Sequence, residues 1–138
     1  MKTTISMGIF TVLVLLFSCI NDNTAHGTGI FQNLSAGEFA GKIKDMGRDK
    51  YLILDVRTKA EFDQLHLTDA INIDFYASDF KTQIDSLDKT KTFFVYCRSG
   101  NRSGKTMALM KELGFKKVYN LAGGIITDTR ELPLAESD

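Results

Sequence analysis

Two apolar runs dominate the pattern along the chain, one from Tyr51 to Val56 and one from Thr92 to Tyr96. Runs without polar alternation predict strands covered on both faces. Shorter runs predict two more strands, over 70–73 and 117–120. Between them the apolar positions recur at helical spacing. Ser35 and Glu38 form a capping-box pair. They predict a helix running to about Asp45, with Phe39 and Ile43 inward and Met46-Gly47 at its end. A short helix is expected over 59–64. Another is expected over 77–86, with Phe80, Ile84 and Leu87 on one side. A fourth, over 104–113, turns Met107, Met110 and Leu113 inward and ends at Gly114. A closing helix is expected over 125–130. Strands alternating with helices predict an α/β fold, a mostly parallel sheet of about five short strands flanked by helices. Ligands in such sheets bind beyond the carboxyl ends of the strands. Both Asp55-Val56-Arg57 and Cys97 fall there.

The chemistry concentrates where the 92–96 strand gives way to a helix, in Cys97-Arg98-Ser99-Gly100-Asn101-Arg102-Ser103. A free cysteine is mostly a thiol at neutral pH. Unpaired N–H groups at a helix start, the helix dipole and two arginines all favour the thiolate. Gly100 admits the positive φ that a tight cradle needs, and Ser103 is a fitting N-cap. Spacing excludes a P-loop at Gly104-Lys105-Thr106, because its first glycine would fall on Ser99. A cysteine-phosphatase loop, Cys-x5-Arg, is missed by one residue. Asp55 reads as a strand-end cap or ion-pair partner, Arg57 as a candidate anion ligand and His66 as part of a turn.

These residues resemble the active-site loop of single-domain rhodanese-like sulfurtransferases. Other segments follow the family's order: Leu52-Ile53-Leu54-Asp55-Val56-Arg57, Glu61-Phe62, His66-Leu67, Ala70-Ile71-Asn72-Ile73, Leu121-Ala122-Gly123-Gly124-Ile125 and Leu132-Pro133-Leu134. The resemblance covers about residues 31–134. The chain departs from the family in having Thr68-Asp69 where Pro-Gly is usual, and Asp128 near a common tryptophan position.

The resemblance implies a rhodanese-like sandwich and a persulfide on Cys97, with no metal and no organic cofactor. The small anionic sulfur donor would be held by Arg57, Arg98, Ser99, Gly100, Asn101, Arg102 and Ser103. The outer sulfur would pass to a thiophilic acceptor. Alternatives are a cysteine phosphatase or arsenate reductase of the same fold, or a non-catalytic persulfide carrier or partner-binding module.

Length and composition leave room for one domain: 138 residues, 43% hydrophobic. Basic and acidic residues balance at 17 each, which argues against a general nucleic-acid surface. Any electropositive feature must be local, and the 98–105 loop is the expected place. Lys2 and the apolar run from Met7 to Phe17 read as an export signal, too short for a comfortable membrane span. Cys19 then resembles the lipidated cysteine of bacterial lipoproteins. The expected organisation is a signal peptide at 1–18, a lipidated Cys19 with a polar tether to 30, and the domain at 31–138. The protein would be exported to the cell envelope and held at the membrane by its lipid. Cys97 would be the lone thiol of the mature chain. His26 reads as a solvated tether residue.

Overall fold

The computed structural model describes residues 28–127 and 129–135. Five strands form one parallel sheet: β1 (Ile30–Leu34), β2 (Tyr51–Asp55), β3 (Ala70–Asn72), β4 (Thr92–Tyr96) and β5 (Lys117–Leu121), in the order β1-β5-β4-β2-β3. Four α-helices connect them: α1 (Ala36–Lys44), α2 (Lys59–Gln64), α3 (Phe80–Asp85) and α4 (Asn101–Glu112). This is the expected α/β sandwich.

The central strand β4 is buried along its whole length, and its side chains alternate between the two faces. Phe94 and Tyr96 enter a core with Phe39 and Ile43 of α1 and with Ile53, Tyr119 and Leu121. Phe93, Val95 and Cys97 enter the other, with Phe80 and Ile84 of α3 and Met110 of α4. Edge-on aromatic pairs, Phe39–Phe94 and Phe93–Phe115, close both layers. Each adds roughly 0.5–1.5 kcal/mol beyond area burial. Cys97 is thus fixed by the alternation of a fully covered strand.

The caps explain where α1 and α2 begin. Ser35 and Glu38 form a reciprocal capping box at α1, and Thr58 and Glu61 form a second at α2. Three expectations need correction. Residues 20–30 are expected as a tether, but β1 begins at Ile30. It is an edge strand, largely exposed, and among the described residues it pairs with β5 alone, so it carries little hydrophobic signal. Helix α4 begins at Asn101, three residues before the expected start, and Gly100 is its N-cap in place of Ser103. Finally, the described residues of 125–130 form turns and not a helix. Their amides are committed elsewhere: Ile125 donates to Cys97 O and Ile126 to Arg98 O.

The Thr68-Asp69 departure is accommodated in place. Asp69 adopts φ +61°, the left-handed conformation that a glycine would take at no steric cost, and its carboxylate pairs with Arg48. Asp128, Cys19, His26 and the apolar run over 7–17 lie outside the described residues.

Candidate active site

Strand β4 delivers Cys97 to the carboxyl edge of the sheet, and α4 starts four residues later. Gly100 makes the reversal at φ +91°. Its N–H then points back at the cysteine, 3.1 Å from Sγ, and the Ser103 hydroxyl donates to the same sulfur at 3.3 Å. Burial pushes the Cys97 thiol up. The Ser103 hydroxyl and the N–H groups of Ser103, Ser99 and Gly100 outweigh it and hold the thiol below its ordinary value. Ser103 therefore serves the sulfur and not the helix cap.

The loop is gripped from outside. The turn at Gly123-Gly124 lays its amides along the loop's carbonyls, with Ile125 N on Cys97 O at 3.0 Å and Ile126 N on Arg98 O at 3.3 Å. Gly124 has φ +69°, and a Cβ there would overlap Arg98 C and O and sit 2.5 Å from Ser99 N. From beneath, the Asn120 side chain donates to Asn33 and, at 3.4 Å, to Gly100 O.

The two loop arginines have different surroundings. Arg98 is exposed, beside a depression of about 370 Å³ that Arg57, Glu61, Leu65, Ile125 and Ile126 also line. Arg102 is held by Glu61 in a two-pronged ion pair at 2.8 and 2.9 Å, with its guanidinium over the Tyr76 ring. The Arg102 guanidinium holds the Glu61 carboxyl down at about 2. The same pair keeps Arg102 charged well past its ordinary range.

Arg57 is buried behind the loop. Asp55 grips it with both carboxylate oxygens, the Leu65 carbonyl accepts from it, and it stacks over Tyr96. Asp55 is thus an ion-pair partner. Asn72 straps the same corner by donating to the carbonyls of Asp55 and Arg57. His66 stacks on Phe62 and bonds its carbonyl, as a turn residue.

The structure gathers Cys97, Arg98, Ser99, Gly100, Asn101, Arg102 and Ser103 on one loop and helix start, with Arg57 beside it. Sequence reasoning missed Glu61, Tyr76, Asn120 and Gly124 as parts of this site. The Thr58–Glu61 capping spacing was a legible signal for Glu61's position, but not for its reach to Arg102.

This arrangement can stabilise a sulfur anion at the end of a buried strand and receive a negatively charged reactant beside Arg98. The family model for the rhodanese-like domain matches residues 36–126. A sulfurtransferase of Allochromatium vinosum is 34% identical over 84 residues, covering 60% of this chain and 77% of its own. A tRNA uridine(34) hydroxylase of Cytophaga hutchinsonii is 38% identical over 98 residues, 69% of this chain and 30% of its own. One from Hamiltonella defensa is 34% identical over 124 residues, 83% of this chain and 34% of its own. The chain spans about a third of the length of these hydroxylases. The crystal structure of a rhodanese-related protein from Thermoplasma volcanium superposes with TM-score 0.63 at 28% identity, covering 75% of this chain and 97% of that one.

Proposed function

The chain belongs to the rhodanese-like domain family, and from that premise we propose that it is a sulfurtransferase working through a persulfide on Cys97. The observation that carries the proposal is the convergence of Gly100 N and Ser103 Oγ on Cys97 Sγ. These donors favour the thiolate, which is the nucleophile.

The thiolate attacks the sulfane sulfur of a donor such as thiosulfate. A Cys97 S–S bond forms, the donor's S–S bond breaks, and sulfite leaves with the electron pair. The terminal persulfide sulfur then lies where loop amides can stabilise its charge. An acceptor such as cyanide attacks that outer sulfur, forms a C–S bond and returns the electron pair to Cys97. Arg98 faces solvent and serves as the electrostatic handle for the donor's sulfonate end. Arg102 and Arg57 are each paired with a carboxylate, Glu61 and Asp55, so they shape the rim of the site and leave the net positive charge to Arg98. Cys97 is only 1% exposed, which suits a narrow reactant end such as a sulfane sulfur or cyanide. The steps need no proton from His66 and no metal or organic cofactor.

The activity would operate at the bacterial cell envelope, on the periplasmic or outer side, with Cys19 as the lipid attachment. The apolar run over 7–17 with Cys19 just after it supports that reading.

The test is thiocyanate production from thiosulfate and cyanide by the full chain, with Cys97→Ser as control and an aryl phosphate in parallel. Thiocyanate that depends on Cys97 is expected. Turnover that survives Cys97→Ser would overturn the mechanism, and Cys97-dependent phosphate release would replace it with phosphatase chemistry. A gain of one sulfur atom on Cys97 without turnover would make the protein a carrier.

A further inference from the structure

The sheet has a second charged end. Opposite the Cys97 edge, the starts of β2, β4 and β5 surround an open depression of about 530 Å³ lined by Lys50, Lys91, Lys116 and Lys117. Asp49 and Asp88 share it, and Asp88 is engaged by the Thr90 hydroxyl and N–H. None of the four ammonium groups reaches ion-pair distance of a carboxylate among the described residues. Four cations against two carboxylates make a local positive surface in a chain whose total charge is balanced.

The N-terminal segment joins the domain at this same end. Ile30 N donates to Lys116 O at 2.7 Å, and Ile30 lies in register with Lys117. Upstream lie the ten residues 20–29, six of them polar, then Cys19 and the apolar run over 7–17. The lysine end is therefore the part of the domain that an N-terminal anchor brings nearest to a bilayer. The Cys97 loop stands at the far end of strands about 16 Å long.

Resting on the reading of Cys19 as a lipid attachment, we propose that this lysine face docks on anionic lipid headgroups and orients the domain so that the Cys97 loop points away from the membrane. One hydrophobic attachment combined with a basic patch is a pairing that gives stable anchoring. The sequence places local positive charge at the 98–105 loop. The tertiary structure adds this second cluster, whose lysines come from three separate chain segments. Lipid is favoured over another polyanion because the patch and the exit of an apolar N-terminus coincide.

The full chain, processed in a bacterial host, would be placed on vesicles of phosphatidylcholine alone or with phosphatidylglycerol. Its lysines would then be acylated with an amine-reactive ester and read individually by mass spectrometry. Lys50, Lys91, Lys116 and Lys117 should react about five-fold more slowly on the anionic vesicles, the factor for one lysine's attraction to such a surface. Lys105, on the exposed side of α4 near the catalytic loop, should react equally on both. High salt should remove the difference.

Equal labelling of the four lysines on both vesicles would overturn the proposal, as would slowing of Lys105 with them or failure of the chain to stay on either vesicle. If an RNA oligonucleotide on phosphatidylcholine vesicles shielded the four lysines as strongly as phosphatidylglycerol does, the face would be a nucleic-acid site and the lipid proposal would fall.

Discussion

Gly124→Ala tests whether the turn over 123–126 sets the geometry of the catalytic loop. Two costs add at this position. Its φ of +69° is unfavourable for alanine by roughly 1 kcal/mol. The new Cβ would also overlap the Arg98 carbonyl and lie 2.5 Å from Ser99 N, all of it backbone. Overpacking of this kind costs about 1–3 kcal/mol, so the total is about 2–4 kcal/mol. That is a large part of a typical domain stability of about 5–15 kcal/mol, yet the variant should still fold. Relief of the overlap must move Arg98 and Ser99 away from the turn. The Ser99 and Gly100 amides then leave Cys97 Sγ, and the thiol loses the donors that offset its burial.

Gly114→Ala is the internal control. It has φ +88° with nothing within 4 Å of the added Cβ, so only the backbone cost of about 1 kcal/mol applies. Urea denaturation would measure stability. The pH dependence of Cys97 alkylation by iodoacetamide, read by mass spectrometry, would measure the thiol. Gly124→Ala should lose more stability than Gly114→Ala and should shift its alkylation profile to higher pH. Equal losses with an unmoved profile would refute the claim that the turn positions the loop.

Three further outcomes follow from the same geometry. Ser103→Ala removes one donor to the sulfur; loss of a charge-assisted bond of about 1.5 kcal/mol should leave roughly ten-fold less thiolate below the thiol pKa, seen as slower alkylation at fixed pH. Glu61 has its carboxyl lowered to about 2 in the fold against an ordinary 4.5, so its contribution is complete above pH 4.5 and disappears as pH falls through 2. Glu61→Gln should therefore cost about 1 kcal/mol at pH 7, after allowance for solvent screening of this part-exposed pair, and the stability gap to the parent should close below pH 4.5 in urea titrations. Asp69→Gly relieves a left-handed backbone at the loss of an exposed ion pair with Arg48; thermal unfolding should show a gain of up to about 1 kcal/mol, and a loss of stability would show that the ion pair outweighs the strain.

Features with a local cause are legible in the residues themselves. Strands β2 and β4 are buried on both faces, so all their residues but the terminal Asp55 and Thr92 are apolar, and the runs at 51–56 and 92–96 mark them. The loop from Cys97 to Ser103 was legible because a strand end, a positive-φ glycine and a helix start must be contiguous to make a cradle. The capping box at Ser35 is likewise written in four residues. Tertiary structure decided what depends on distant partners. β1 exists because β5 offers it an edge, and its exposed side chains leave little periodic trace. The segment over 125–130 reads as helix-forming, yet Ile125 and Ile126 spend their amides on the catalytic loop. Glu61 and Arg102 are 41 residues apart, and only the parallel crossing of the chain brings them together. The lysine end is drawn from three segments that no local window contains. A hydrogen bond or charge cluster assembled across such separations leaves no spacing to count, because its partners are chosen by the sheet order and not by the neighbouring sequence.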